Sequence, residues 1–123
     1  MNKTIAAVLA AALMLGASLA RAEDPESKTV AQVLQEKQAL AGHLVQVKGK
    51  VVKVNNGIMK RNFVHVEDGT SADGTAKVIA TSTQTAKVGD SVIVAGKVVL
   101  DRDFGAGYSY PLLLEESTIT PAN

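Results

Sequence analysis

An all-β domain led by one short helix is what this 123-residue sequence predicts, and three observations carry the expectation. Valine-rich stretches alternating with period two recur from residue 43 onward. Clusters of glycine, asparagine and aspartate separate them, as turns do. A single segment, 30–40, has helical spacing instead. One helix and five strands are therefore expected.

The opening residues read as an address. Lys3, the apolar run from Ile5 to Leu19 and then Ala20-Arg21-Ala22 make the three parts of a secretory signal peptide, with cleavage expected after Ala22. The apolar run is shorter than the roughly 20 residues of a membrane-spanning helix, so no membrane anchor is expected after cleavage. Residues 23–123 then form a single exported domain, and the periplasm is its expected location. Thirteen basic residues, less Lys3 and Arg21, face twelve acidic ones, a net charge of −1 for that domain. This balance lacks the basic footprint of a protein that holds many phosphates. With no cysteine in the chain, an exported fold rests on its apolar core and not on disulfides.

Taken in order, residues 23–28 are polar, contain Pro25 and read as a flexible lead-in. Thr29 and Gln32 have the spacing of a capping box, Val30, Val33, Leu34 and Leu40 lie near one stripe, and Gly42 suits the stop, so a helix spans about 30–40. In the first strand Val45 and Val47 share a face. The alternation is expected to slip at Gly49, after which Val52 and Val54 are the apolar set, so a bulge or bend at Gly49 is expected. Asn55-Asn56-Gly57 supplies a turn. The second strand, 61–68, places Val64 and Val66 inward and Arg61, Phe63, His65 and Glu67 on the outer face. Asp68-Gly69-Thr70 and Asp73-Gly74-Thr75 frame a connection to the third strand, 75–82, which adds Lys77 and Ile79 to that outer face. A short polar link, 83–90, precedes the fourth strand, 91–101, with a second bend expected at Gly96. The loop 101–111 follows, then a last strand, 112–118. A long, bent first strand among five is the plan of a five-stranded OB-fold Greek-key barrel with a short N-terminal helix.

The segments Val47-Lys-Gly-Lys-Val-Val-Lys-Val54, Gly57-Ile-Met59, Arg61-Asn-Phe-Val-His-Val-Glu-Asp-Gly69, Val88-Gly-Asp90 and Asp103-Phe-Gly-Ala-Gly-Tyr-Ser-Tyr-Pro111 resemble a family of small exported bacterial OB-fold proteins, named nucleic-acid-binding-like or NrfJ-related. The resemblance spans residues 23–123 and implies the fold and the periplasmic address; the family's ligand is not defined. It departs at Phe63, where relatives commonly have tryptophan.

OB folds bind across the second and third strands and through the loops flanking them. Here that region holds all four aromatic residues of the chain, and the candidate contacts are Met59, Lys60, Arg61, Phe63, His65, Glu67, Lys77, Arg102, Phe104, Tyr108 and Tyr110. Three uses are open. Phe63, Tyr108 and Tyr110 suit anchors for an unidentified periplasmic protein, redox- or stress-related, bound by a monomer. The same rings beside Lys60, Arg61 and Arg102 suit stacked bases and phosphates of nucleic acid. Met59 and His65, with His43 as a further donor and the Phe63 ring as a cover, are soft-metal donors of the kind that hold Cu(I), although one thioether makes a thin ligand set. Against all three stands the alternative that the aromatics close a satellite core beneath the loop. No catalytic nucleophile, phosphate loop or His-Glu-x-x-His motif occurs; the chain is expected to be no enzyme and to need no cofactor.

Overall fold

The computed structural model describes residues 24–122; the expected signal peptide, 1–22, lies outside them. Their secondary structure is mostly β, with two short helices. Strand β1 (Glu26–Ser27) is followed by helices α1 (Val30–Gln35) and α2 (Lys37–Leu40). Then come β2 (Leu44–Ile58), β3 (Arg61–Glu67), β4 (Lys77–Ser82), β5 (Ser91–Gly105) and β6 (Tyr108–Pro121). All six strands belong to one mixed sheet of order β1-β2-β3-β4-β6-β5, in which β5 also pairs with β2, so that the ladder returns on itself.

Strand β2 makes that return possible because it is long enough to serve two partners. Its first half, from Leu44 to Lys50, lies antiparallel to β5, and from Lys50 onward it lies antiparallel to β3. Gly49 sits at the handover, and a Cβ there would come 2.5 Å from the carbonyl oxygen of Glu67, so the strands meet only where a side chain is missing. The expected phase slip at Gly49 is corrected. Val45, Val47 and Val51 are all fully buried on one face. The irregularity falls between Val51 and Lys53, which makes Val54 the next inward residue. At Gly96, where a second bend is expected, the ladder with β6 shifts register between Ala95 and Lys97, and a Cβ would collide with the Ser117 hydroxyl.

The valines that alternate in the sequence fill one continuous core: Val45, Val47, Val51, Val64, Val66, Val78, Val94 and Val98, joined by Leu112 and Leu114. Val30, Val33 and Leu40 from the two helices are buried in the same cluster. Thr29 caps α1 through a reciprocal capping box with Gln32. The strand pair beneath adds two further acceptors: the Val30 amide donates to Asp68 Oδ2 at 2.9 Å and the Ala31 amide to Thr70 Oγ1 at 3.0 Å. The helix is thereby tied at its first turn to the β3–β4 connection.

Four expected boundaries change. The lead-in 23–28 contains a sixth strand, because Glu26 and Ser27 lie parallel to Val45 and Gln46, on the edge of β2 before β3 joins it. The expected single helix breaks at Glu36, whose backbone turns out of helical geometry between α1 and α2. The residues Asn55-Asn56-Gly57 belong to β2, and the turn is Met59-Lys60. The loop 101–111 is largely two strand arms, since Arg102 pairs with Tyr110 and Gly105 with Tyr108.

Candidate functional site

Two tight hairpins build the candidate site. In the β2–β3 hairpin Ile58 pairs with Arg61, leaving Met59 and Lys60 as a two-residue turn with φ of 52° and 64°. In the β5–β6 hairpin the turn is Ala106-Gly107, with φ of 53° and 86°. Two successive positive-φ residues suit the twist of a two-residue hairpin, but asparagine and glycine are the usual occupants. Met59, Lys60 and Ala106 hold that backbone against a steric cost. Asp103 steadies the second turn by accepting from the Gly105 amide at 2.8 Å.

Rings and guanidiniums from the two hairpins interlock. Phe63 on β3 meets Phe104 on β5 edge-on, with centroids 5.8 Å apart, and lies tilted against Tyr110 on β6 at 5.4 Å. Phe104 and Tyr110 close the triangle at 6.1 Å. All three distances are within the range of favourable aromatic pairs. The guanidinium carbons of Arg61 and Arg102 stand over the Phe104 ring, 5.1 and 4.6 Å from its centroid. Arg102 Nε faces Glu115 Oε2 at 3.6 Å, too long for a hydrogen bond, and is buried without another partner. The hydrogen bond from Arg61 is a weak one of 3.5 Å to the Met59 carbonyl.

This arrangement changes the reading of the outer row of β3. Phe63 is fully buried and His65 is 7% exposed, so the face expected to be open is covered where these two residues lie. Phe63 stays outside the main core cluster that takes Val64 and Val66, which makes the aromatic triangle a satellite core on the opposite face of the sheet. Tyr108, at the tip of the β5–β6 hairpin, is the aromatic residue left out of the triangle and is 37% exposed.

The expected site residues fall into two groups. Arg61, Phe63, Arg102, Phe104 and Tyr110 are brought into contact, with Met59 and Lys60 beside them in the hairpin turn and Tyr108 at the other tip. His65, Glu67 and Lys77 lie toward the other end of the same face, where His65 stands between Lys53 of β2 and Ile79 of β4 in the cross-strand register. The four residue-to-residue steps from Arg61 to His65 span roughly 13 Å of strand, so the thioether of Met59 and the imidazole of His65 are not neighbours. Among the described residues no group of three or more His, Cys, Asp or Glu side chains is placed to hold a metal ion. Burial, with Lys77 and then Lys53 adding repulsion, lowers the His65 pKa to about 4, which keeps the imidazole neutral at neutral pH, and its Nδ1 is buried without a partner.

Other members of the site escape sequence reasoning. Glu115 carries no motif; in the β5–β6 register it lies opposite Lys97, and its contact with Arg102 is made by the two side chains reaching toward each other. An open groove beside the first hairpin has Met59, Lys60 and Arg61 on its lining together with residues 81–83 of β4 and its exit and Glu116 of β6. Glu116 also has positive φ, 52°. That groove forms where β4 and β6 pair only at Ala80 and Leu114, a gap with no local sequence signature.

No protein-family model matches this chain, and no curated protein does. Among solved structures, similarity of fold extends to an aspartyl-tRNA synthetase-like chain from Leishmania major Friedlin, with a TM-score of 0.53 at 13% identity. The match covers 83% of this chain and 22% of that one, so the present chain corresponds to a small part of the longer protein. At this identity the likeness concerns the fold alone.

Proposed function

We propose that the chain is an exported, periplasmic, non-enzymatic binding module of the NrfJ-related OB-fold kind, which engages a redox- or stress-related partner protein through the tips of its two hairpins. The finer description of the fold as a five-stranded Greek-key barrel belongs to this proposal. It is supported by the cyclic pairing of β2, β3, β4, β6 and β5, with β1 an appended edge, and by the helices whose apolar side chains join the enclosed core.

The observation that carries the functional reading is the contact of both hairpins through Phe63, Phe104 and Tyr110 beneath two guanidiniums. The triangle makes a rigid support, and Arg61, Arg102, Lys60 and Tyr108 are the side chains it presents. Arginine and tyrosine are favoured as anchors in protein interfaces because each combines a broad apolar surface with directed hydrogen bonds. Base stacking needs an open ring face, and Phe63 has none while Phe104 is overlain by arginine. A photo-crosslinking residue in place of Tyr108, in cells that export the protein, tests the reading: a specific protein adduct is expected. Tight binding of single-stranded DNA at low salt, lost steeply as salt rises, overturns it in favour of nucleic acid.

A further inference from the structure

Resting on that reading of the hairpin tips, we propose that Arg61 and Arg102 form a two-guanidinium clamp for the carboxylates of an acidic, extended segment of the partner. Both cations lie about 5 Å from one ring centroid, so a single aromatic side chain holds them in place from two different hairpins. Stacking on Phe104 leaves the edges of a planar guanidinium free to donate, and two parallel N–H groups match the geometry of a carboxylate. Each cation has one long internal contact. Arg61 has its long bond to the Met59 carbonyl, and Arg102 has Glu115 at 3.6 Å. The Arg102 side chain is 41% exposed, which keeps it within reach of a partner.

The surrounding charges favour an anion. Lys60 adjoins Arg61 in the hairpin turn, and Lys53 and Lys77 lie farther along the same outer face. Of the two carboxylates closest in sequence to Arg102, that of Asp103 is engaged with the Gly105 amide, and Asp101 sits at a break in the extended backbone, with φ of 52°. On the face itself Glu67 and Glu115 oppose Arg61, Arg102, Lys53 and Lys77, and Glu116 borders the groove beside Lys60. The depressed His65 pKa, caused by burial and then by Lys77 and Lys53, agrees with a positive local potential. A carboxylate-bearing peptide suits this face better than an oligonucleotide, because the rings are packed against each other and the domain as a whole carries no phosphate-binding excess of charge. The open groove lined by Met59, Lys60, Arg61 and residues 81–83 adjoins the clamp and offers an extended segment a place to lie.

The test uses a short fluorescein-labelled peptide rich in glutamate, the same peptide with glutamine throughout, and an oligo-dT strand, each titrated into the protein at low salt and followed by polarisation. The glutamate peptide is expected to bind, the glutamine peptide not to bind, and oligo-dT to bind more weakly than the glutamate peptide. The paired change R61K and R102K retains both charges but loses the fork, and should weaken the peptide about tenfold. An unchanged urea midpoint verifies that this variant is folded. Equal binding by the variant, absence of glutamate-peptide binding, or preference for oligo-dT each overturns the clamp. In cells, a Tyr108 crosslink that the glutamate peptide displaces supports it. A crosslinked protein that the peptide leaves in place overturns the clamp but retains the partner-binding reading, whereas absence of any crosslink removes that reading itself.

Discussion

Replacing Phe63 with alanine separates the two roles that this ring could have, support or contact. Phe63 is completely buried and touches two other rings at 5.4 and 5.8 Å. Truncating a buried phenylalanine costs about 3–5 kcal/mol, the upper end applying when the surroundings cannot collapse into the space. Here the neighbours are arms of a hairpin, which can relax, so we expect about 3–4 kcal/mol. Domains of this size are stable by about 5–15 kcal/mol, so the protein remains folded at moderate temperature but loses a large part of its margin. With a urea slope near 2 kcal/mol/M, the unfolding midpoint should fall by about 1.5–2 M without a change in slope. A double-mutant cycle with Phe104→Ala should show a coupling of about 1 kcal/mol, the amount characteristic of an edge-to-face pair. A loss below about 0.5 kcal/mol is what an exposed surface ring would show. That result, or additivity of the two changes, refutes the satellite core.

Three further expectations follow from single contacts. The His65 pKa is lowered from 6.5 to about 4 in the folded protein, so between those values the unfolded chain binds more protons and stability falls as pH drops from 6.5 toward 4, by at most about 3 kcal/mol and less at high salt, which screens the lysines. His65→Gln should flatten that part of the stability–pH curve measured by urea unfolding. For Asp68, burial raises the pKa but the hydrogen bonds from the Thr70 hydroxyl and the Val30 and Thr70 amides outweigh it and hold the carboxyl below 3.8. Its stabilisation is therefore present above that pH and lost as pH falls through the lowered value; Asp68→Ala should cost about 1–2 kcal/mol at neutral pH and expose the α1 amides to faster hydrogen exchange. Replacing Met59-Lys60 with Asn-Gly should raise stability by about 1–2 kcal/mol, because these residues accept the positive φ of 52° and 64° without strain. The same change should weaken glutamate-peptide binding by removing the Lys60 charge, read by polarisation.

The contrast between the two faces of β3 explains what could be read in the sequence. Val64 and Val66 point to the core as their alternation predicts, because that choice depends only on the period of the strand. The opposite face cannot be assigned by period, since exposure there is decided by what folds over it. Phe104 and Tyr110 come from residues about forty positions away, and their reach depends on the arms of 101–111 being strands with a turn at Ala106-Gly107. Neither that turn nor Met59-Lys60 carries the Asn-Gly signature that would have marked it, and Asn55-Asn56-Gly57, which does resemble a turn, is an irregularity within β2, with Asn55 paired to Phe63 and the Gly57 amide donating to Asn62 Oδ1. Burial of Phe63 in a satellite core is therefore one of two open readings of the sequence, with Phe104 in the place expected for Tyr108, whereas burial of His65 has no sequence signal. The edge strand Glu26–Ser27 is similarly silent, because two residues are too few to show a period.

The same packing moves the chemistry of recognition from the rings to the charges. In the sequence the four aromatics look like the binding surface, with arginines at their margins. In the fold three of the rings use their faces and edges on one another, and the arginines lie over Phe104, each with one long internal contact. A ligand meeting this surface would find guanidinium edges and Tyr108 before it found the Phe63 ring. Removing Phe63 and altering Arg61 should then have opposite signatures: the first lowers stability and disturbs binding through the support, while the second leaves the support and changes only what is bound. That asymmetry distinguishes a clamp built on a satellite core from an open aromatic platform, on which loss of the ring would reduce binding directly and cost little stability.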